Sequence, residues 1–210
     1  NVPGGSFFHR YFVLKERVLS VEYSATMMGF PGGNDHGPEH IRRVLANLNS
    51  LVGSKPLRSL SQYELFLAMA GVLYHDIGIL RGREGHAETS ALLLSEEKAA
   101  YIFNDEDKAF LPSIVLSHSS SADISKCPSD QHVKGYDVRP RLLAALVRFA
   151  DELDEDVRRA DPLLQGKLDL PKKSQFYWRF NNRIRGVKID RQQNEISFNL
   201  AFLKGDIGLI

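Results

Sequence analysis

Seven histidines fall in this chain: His9, His36, His40, His75, His86, His118 and His132. Any one of them, taken alone, reads as a satisfied core or surface histidine. Their places in the apolar pattern say more. His40 lies in the first turn of a helical pattern that starts after Pro38, with Val44 one turn on. His75 and Asp76 end the apolar run "ELFLAMAGVLY". His86 opens the next helical stretch, and His118 follows the apolar "SIVL". Asp151 comes one turn after Val147, flanked by Phe149 and Ala150. Each is a polar group at or near a segment whose apolar face must be buried. That is costly unless the groups share a partner. Imidazole nitrogens and carboxylate oxygens together suit Mn, Fe, Zn, Co or Ni better than Ca. Neighbouring residues on a helix point about 100° apart, so His75 and Asp76 can reach one ion only near a helix end, which is where they lie. A carboxylate can bridge two ions and a histidine cannot. Composition and spacing thus favour a site for one or two divalent transition-metal ions over separately satisfied histidines.

The elements that must carry these residues read mostly as helices. "SFFHRYFVLKERVLS" (6–20) has Phe8, Phe12 and Leu19 on one stripe. "GFPGGNDHGP" (29–38) is a loop, since its Gly and Pro break both periodicities. "EHIRRVLANLNSLV" has helical spacing at Ile41, Val44, Leu45, Leu48, Leu51 and Val52. Ser61 and Glu64 form a capping box ahead of a helix that is apolar almost all round from Leu65 to Leu73, and is therefore expected at the centre. Helices follow over "HAETSALLLSEEKAAYIF" and "DEDKAFLPSIVLSHSS", the second restarting at Pro112. Residues 119–137 read as a long polar loop. "RPRLLAALVRFADELDEDVRRA" is a strong helix with Leu142, Leu146, Phe149 and Leu153 on one stripe. After Pro162 the period changes to two. Ile196, Phe198, Leu200 and Phe202 alternate with Glu195, Ser197 and Asn199, with a turn around "RQQN". The expectation is a mostly α fold: a helical domain over 1–162 and a small C-terminal β-hairpin appendage over 163–210, packed on the same domain.

The composition excludes little but excludes it clearly. A net charge of +1 gives no support for nucleic-acid binding through bulk electrostatics. One cysteine, Cys127, leaves neither a disulfide framework nor a thiolate metal site, and a reducing, cytoplasmic setting is expected. No apolar run reaches the length needed to cross a bilayer and no signal peptide is visible, so no membrane partner is expected. The start at Asn1 rather than Met suggests a processed chain or a fragment.

The order "HIRRV", "YHDIG", "GHAETSA", "LSHSS", "FADELD", over roughly residues 36–160, resembles the HD superfamily of metal-dependent phosphohydrolases. The resemblance implies an all-α bundle whose H…HD…D residues hold a divalent metal. By motif these are His40, His75, Asp76 and Asp151. His86 and His118 match the two extra histidines of the six-ligand branch, in which two metals are bound and the Asp of the HD pair bridges them. His36, four residues before His40 in an "HGxxH" beginning, reads as a substrate-side residue or an alternative ligand. Two departures argue against the cyclic-dinucleotide phosphodiesterase branch: Ile79, not Lys, follows "HDIG", and no "GYP" occurs. The tail, with "FYWRF" and "IRGVKID…ISFNL", is similar to HD domains found with Hsp90-like ATPase modules, which makes an attached or associated ATPase domain an expected partner.

The implied activity is hydrolysis of a nucleotide or another small phosphoester by a metal-activated water. Asp76 and His75 are the expected catalytic pair, with Asp76 orienting the water. Arg81 and Arg83, directly after the metal helix, are cationic donors for phosphate, though a solvated turn explains them equally well. Arg43 and Arg148 are weaker candidates, and Arg158 and Arg159 read as a solvated helix end. Tyr74, Lys126 and His132 reach the site only if loop 119–137 folds over it. Asp154 either pairs with Arg158 along the helix or holds a ligand histidine. Two alternatives use the same residues: a di-iron oxygenase, and a nucleotide-sensing regulatory module. Tyr177, Trp178 and Phe180 read as packing for the hairpin, and Cys127 is given no role.

Overall fold

Ser61 and Glu64 start the helix on which the others pack. The Ser61 hydroxyl accepts from the Glu64 N–H at 3.1 Å, and the Glu64 carboxylate accepts from the Ser61 N–H at 2.9 Å. The computed structural model describes residues 6–23, 36–53, 60–95, 103–159 and 172–203. In chain order these form α1 (Phe7–Arg17), which runs on into a π-helical turn (Val18–Glu22), then α2 (Pro38–Val52), α3 (Gln62–Tyr74) and a 3-10 turn (Ile77–Arg81). α4 (His86–Ser95), α5 (Asp105–Leu116) and a 3-10 turn (Ile124–Lys126) follow. A small hairpin comes next, β1 (Gln131–Val133) with β2 (Tyr136–Val138), and then α6 (Pro140–Glu152) and a 3-10 turn (Val157–Arg159). The last elements are α7 (Lys172–Asn181), β3 (Ile184–Asp190) and β4 (Glu195–Leu200). The fold is mostly α, as the sequence predicts.

α3 is the hub. Phe66, Leu67, Ala68, Ala70, Val72 and Leu73 are fully buried, and the helix packs against α1, α2, α5 and α6. Gly71 allows that approach, because a Cβ there would sit 3.1 Å from Ile114 Cγ2 and 3.2 Å from Val147 Cγ2. The stretch Gln62–Arg81 does reach the length and apolarity of a membrane span, contrary to the sequence reading, but 83% of that window is buried inside the bundle. Its hydropathy is that of a core helix.

Four local expectations are corrected. On α1 and the turn that continues it the buried face is Arg10, Leu14 and Val18, with Phe7 and Tyr11 packed beside them, whereas Phe8 and Phe12 are exposed. That stripe has helical spacing too, but it contains an arginine. Arg10 pairs with the buried Asp107 on α5 and lies 4.4 Å over the Phe66 ring, while Phe7 stacks on Tyr63. On α6 the buried face is Leu143, Ala144, Val147 and Ala150, leaving Leu142 and Phe149 partly in solvent. α5 runs through Pro112 without restarting, because a capping box between Asn104 and Asp107 already begins it and Phe110, Leu111, Ile114 and Val115 bury its length. Residues 119–137 are not all loop, since they include the 3-10 turn and the β1–β2 hairpin.

The C-terminal hairpin forms as expected. β3 and β4 pair antiparallel, with Val187 opposite Phe198 and Ile189 opposite Ile196, and the turn closes through Asn194 at φ 51°. Its apolar face stays half open, with Phe198, Leu200 and Phe202 all partly exposed. The expected boundary at 162/163, and the end of the helix expected over 86–103, lie outside the described residues.

Asp107 holds α1 to α5 and caps α5 at once. Removing it takes the carboxylate away from the buried Arg10 cation. Asp107→Ala is therefore expected to lower unfolding stability by about 3–5 kcal/mol, measured by urea denaturation. A loss under about 1 kcal/mol would mean that the pair contributes no more than a surface ion pair.

Candidate metal centre

Five helix ends deliver the site. His40 projects from the first turn of α2, and His75 and Asp76 follow the last turn of α3. His86 opens α4, and His118 lies just past α5. Asp151 comes from the last turn of α6. His40 and His75 are fully buried, and Asp76 and His118 nearly so. His86 and Asp151 keep 23% and 20% of their side-chain surface, so the open face of the site is on their side.

The ring nitrogens are oriented by hydrogen bonds on their far sides. His75 Nδ1 lies 2.8 Å from the Val72 carbonyl, His86 Nδ1 2.8 Å from that of Arg83, and His118 Nδ1 2.6 Å from that of Val115. A carbonyl oxygen only accepts, so each Nδ1 carries the proton. His40 Nδ1 donates to Asp154 Oδ2 at 2.7 Å, and Asp154 Oδ1 accepts from Arg43 Nε at 2.7 Å. In the neutral rings every Nε2 is then a bare lone pair. His40 Nε2 faces His75 Nε2 at 3.2 Å, and His86 Nε2 faces His118 Nε2 at 3.1 Å. Two lone pairs at that separation repel unless a cation lies between them, and two metal–nitrogen bonds of about 2.1 Å span such a gap.

Asp76 lies between the two pairs. Its Oδ2 is 3.6 Å from His40 Nε2 and 3.3 Å from His75 Nε2, and its Oδ1 is 3.3 Å from His86 Nε2 and 3.5 Å from His118 Nε2. Asp151 Oδ1 adds to the first pair, 3.3 Å from His40 Nε2 and 3.6 Å from His75 Nε2. The structure thus brings together all six residues picked from the sequence, as two groups, His40–His75–Asp151 and Asp76–His86–His118, with the donor atoms of each within 4.8 Å of one another. The donor set fits divalent transition metals, with imidazole nitrogens on both sides of one carboxylate.

The electrostatics agree. Burial alone would raise the Asp76 pKa, but His75 and the other surrounding imidazoles hold it well below 3.8. Asp151 behaves alike, its burial outweighed by His75 and His40. Burial pulls His75 down, yet Asp76 and Asp151 together lift it well above 6.5. His86 is raised, first by its hydrogen bond to Asp76. Without a metal, protons compensate the carboxylates.

The substrate-side candidates separate. His36 Nδ1 donates to Asp76 Oδ2 at 2.6 Å, and Arg83 Nη1 donates to His36 Nε2 at 2.9 Å. His36 is therefore neutral, and burial pulls its pKa to about 4 despite Asp76. His36, His40 and Asp76 also form a third group of closely spaced donors. Arg81 is exposed at the end of its 3-10 turn. His132 is on β1, paired with Asp137 at 2.8 Å, and Lys126 is exposed, so neither belongs to the site. Tyr74 is buried against Phe103. Arg148 ties down the segment after His118 by donating to the carbonyls of His118, Ser119 and Ala122.

Two corrections concern the segment after α6. The helix ends at Glu152 rather than running to residue 160, because the chain turns so that Asp154 meets His40 and Arg43. Asp154 therefore holds the ligand histidine and does not pair with Arg158, whose partner is Asp156. Arg159 is buried and faces His36, which the reading of a solvated helix end missed. The "DELD" spacing was a signal for Asp154, at i+3 from Asp151, but no local signal marked Arg159.

Gly78 explains why the motif needs a glycine. Its N–H donates to Ser90 Oγ at 2.8 Å, and a Cβ there would fall 2.1 Å from the His86 carbonyl oxygen. α4 can start only against a bare backbone.

This arrangement defines a mostly helical domain with an HD-type His/Asp cluster able to hold metal. A family model named HD-CE matches residues 29–205. The chain belongs to the HD-CE family. No curated protein matches it.

Gly78→Ala is expected to displace His86 and cut divalent-metal binding at the Asp76–His86–His118 group by about 10–100-fold, read by isothermal titration. Unchanged affinity would contradict that packing role. Metal uptake at pH 7 is expected to release protons, because His75, raised well above 6.5, is protonated in the metal-free state and must be neutral to ligate. Affinity should fall as pH falls, and uptake without proton release in weakly buffered solution would contradict this.

Proposed function

We propose that this domain is a metal-dependent phosphohydrolase acting on a nucleotide or another small phosphoester. The observation that carries the reading is the split of Asp76, one oxygen toward His40 and His75 and the other toward His86 and His118. His40, His75, Asp76 and Asp151 would hold one divalent ion, and Asp76, His86 and His118 a second. Bound there, such ions supply Lewis acidity and bring the pKa of water down to about 7.

The chain's own groups do the rest. Asp76, kept ionised by the imidazoles around it, accepts a hydrogen bond from the attacking water and fixes its direction. Substrate reaches the centre from the side where His86 and Asp151 retain exposure. Arg83, exposed and 2.9 Å from His36, donates to phosphoryl oxygens as they arrive. His36, with its proton on Nδ1, then has a phosphate oxygen as an alternative acceptor to Asp76. The buried His40 and His75 exclude bulk water from the inner end of the site.

The test is phosphate release from a panel of nucleotides and phosphomonoesters, with Mn, Fe, Zn, Co or Ni supplied in turn. Release should require metal, stop with chelator and fall to background in Asp76→Ala. Equal release by that variant would sink the reading, and oxygen uptake without phosphate release would redirect it to an oxygenase.

A further inference from the structure

Arg159 ends the 3-10 turn Val157–Arg159 and is 6% exposed. Its Nη1 donates to Glu155 Oε1 at 2.9 Å, and its Nη2 comes within 3.4 Å of His36 Nδ1. Its Nε has no hydrogen-bond partner among the described residues. Its turn packs against α7 and β3, so the C-terminal helix and hairpin hold it in place.

The charges around it are unusual. Asp76, Asp151, Asp154 and Glu155 all act on the Arg159 guanidinium. Arg43 is committed to Asp154 at 2.7 Å. Arg159 is thus a buried cation 3.4 Å from His36, which itself donates to the Asp76 carboxylate, with Arg83 on the opposite nitrogen of that ring. A fixed positive charge in a poorly solvated place has two opposite consequences. It repels an incoming metal cation, and it attracts an incoming anion.

We propose that Arg159 is a specificity-determining residue, the fixed cation that makes the open face of this centre select anionic phosphate ligands at some loss of metal affinity. The inference rests on the metal-centre part of the function proposed above and not on hydrolysis. A prop for the fold would change both affinities in the same direction when removed. A charge acting through space changes them in opposite directions.

The experiment uses the whole chain and two probes, Mn²⁺ added to metal-free protein and inorganic phosphate added to Mn²⁺-loaded protein, both by isothermal titration. Arg159→Met should bind Mn²⁺ about threefold or more tighter and phosphate about tenfold weaker, the scale expected for one nearby charge. Arg159→Lys should stay within about twofold of wild type for both. Glu155→Gln, which leaves Arg159 less neutralised, should shift both affinities the other way, and it serves as the test if Arg159→Met fails to fold. Affinities that fall together, or that do not change, in the variant tested overturn the proposal. Failure of the wild type to bind Mn²⁺ overturns this inference, while the function it rests on stands or falls by the panel of metals above. A protein that shows the opposed shifts yet hydrolyses no phosphoester keeps Arg159 in this role and loses the hydrolase reading.

Discussion

Lone pairs facing lone pairs organise this structure. Three imidazoles have Nδ1 committed to a backbone carbonyl and a fourth to Asp154, so four Nε2 atoms converge in two facing pairs. Neither pair is stable as it stands. Each needs a proton or a metal cation between its nitrogens, and Asp76 supplies negative charge to both at once. A bundle built only for stability would fill that space with apolar side chains, since buried charged clusters contribute little net stability. The cluster left in its place is one that could hold cations.

The rest of the fold fixes those nitrogens. α3 is buried nearly all round, so the chain direction at His75 and Asp76 is set by packing against four other helices. Gly78 and Ser90 seat α4, which brings His86 opposite His118. Arg148 holds the three carbonyls around the end of α5 and so fixes the backbone that carries His118. Arg43 and Asp154 hold His40 from behind. Each support comes from a different element, so the centre integrates most of the bundle.

The six clustered residues were legible because each lies next to an apolar pattern and marks a helix end, and the HD-type order then put them in one site. The capping box of α3 and the C-terminal hairpin were legible for similarly local reasons. The buried face of α1 was not. It carries Arg10, and a rule that seeks apolar stripes chooses Phe8 and Phe12 instead. Arg10 is inside because Asp107 waits there on a helix far away in sequence, and no local pattern shows that. The face of α6 was misread by one position, although Asp151 one turn after Val147 already marked the correct side. Arg159 was missed because the chain leaves the helix at Leu153 to bring Asp154 to His40, a turn dictated by a tertiary contact and not by a glycine or proline.

The proposed function requires that Asp76 lie between two cation positions and not beside one. Diffraction from crystals grown with Mn²⁺, with anomalous data at the metal edge, tests this most directly. Two peaks are predicted, one among His40, His75 and Asp151 and one between His86 and His118, with an Asp76 oxygen on each. A single peak that leaves His86 and His118 without an ion, or no peak at all, would contradict it.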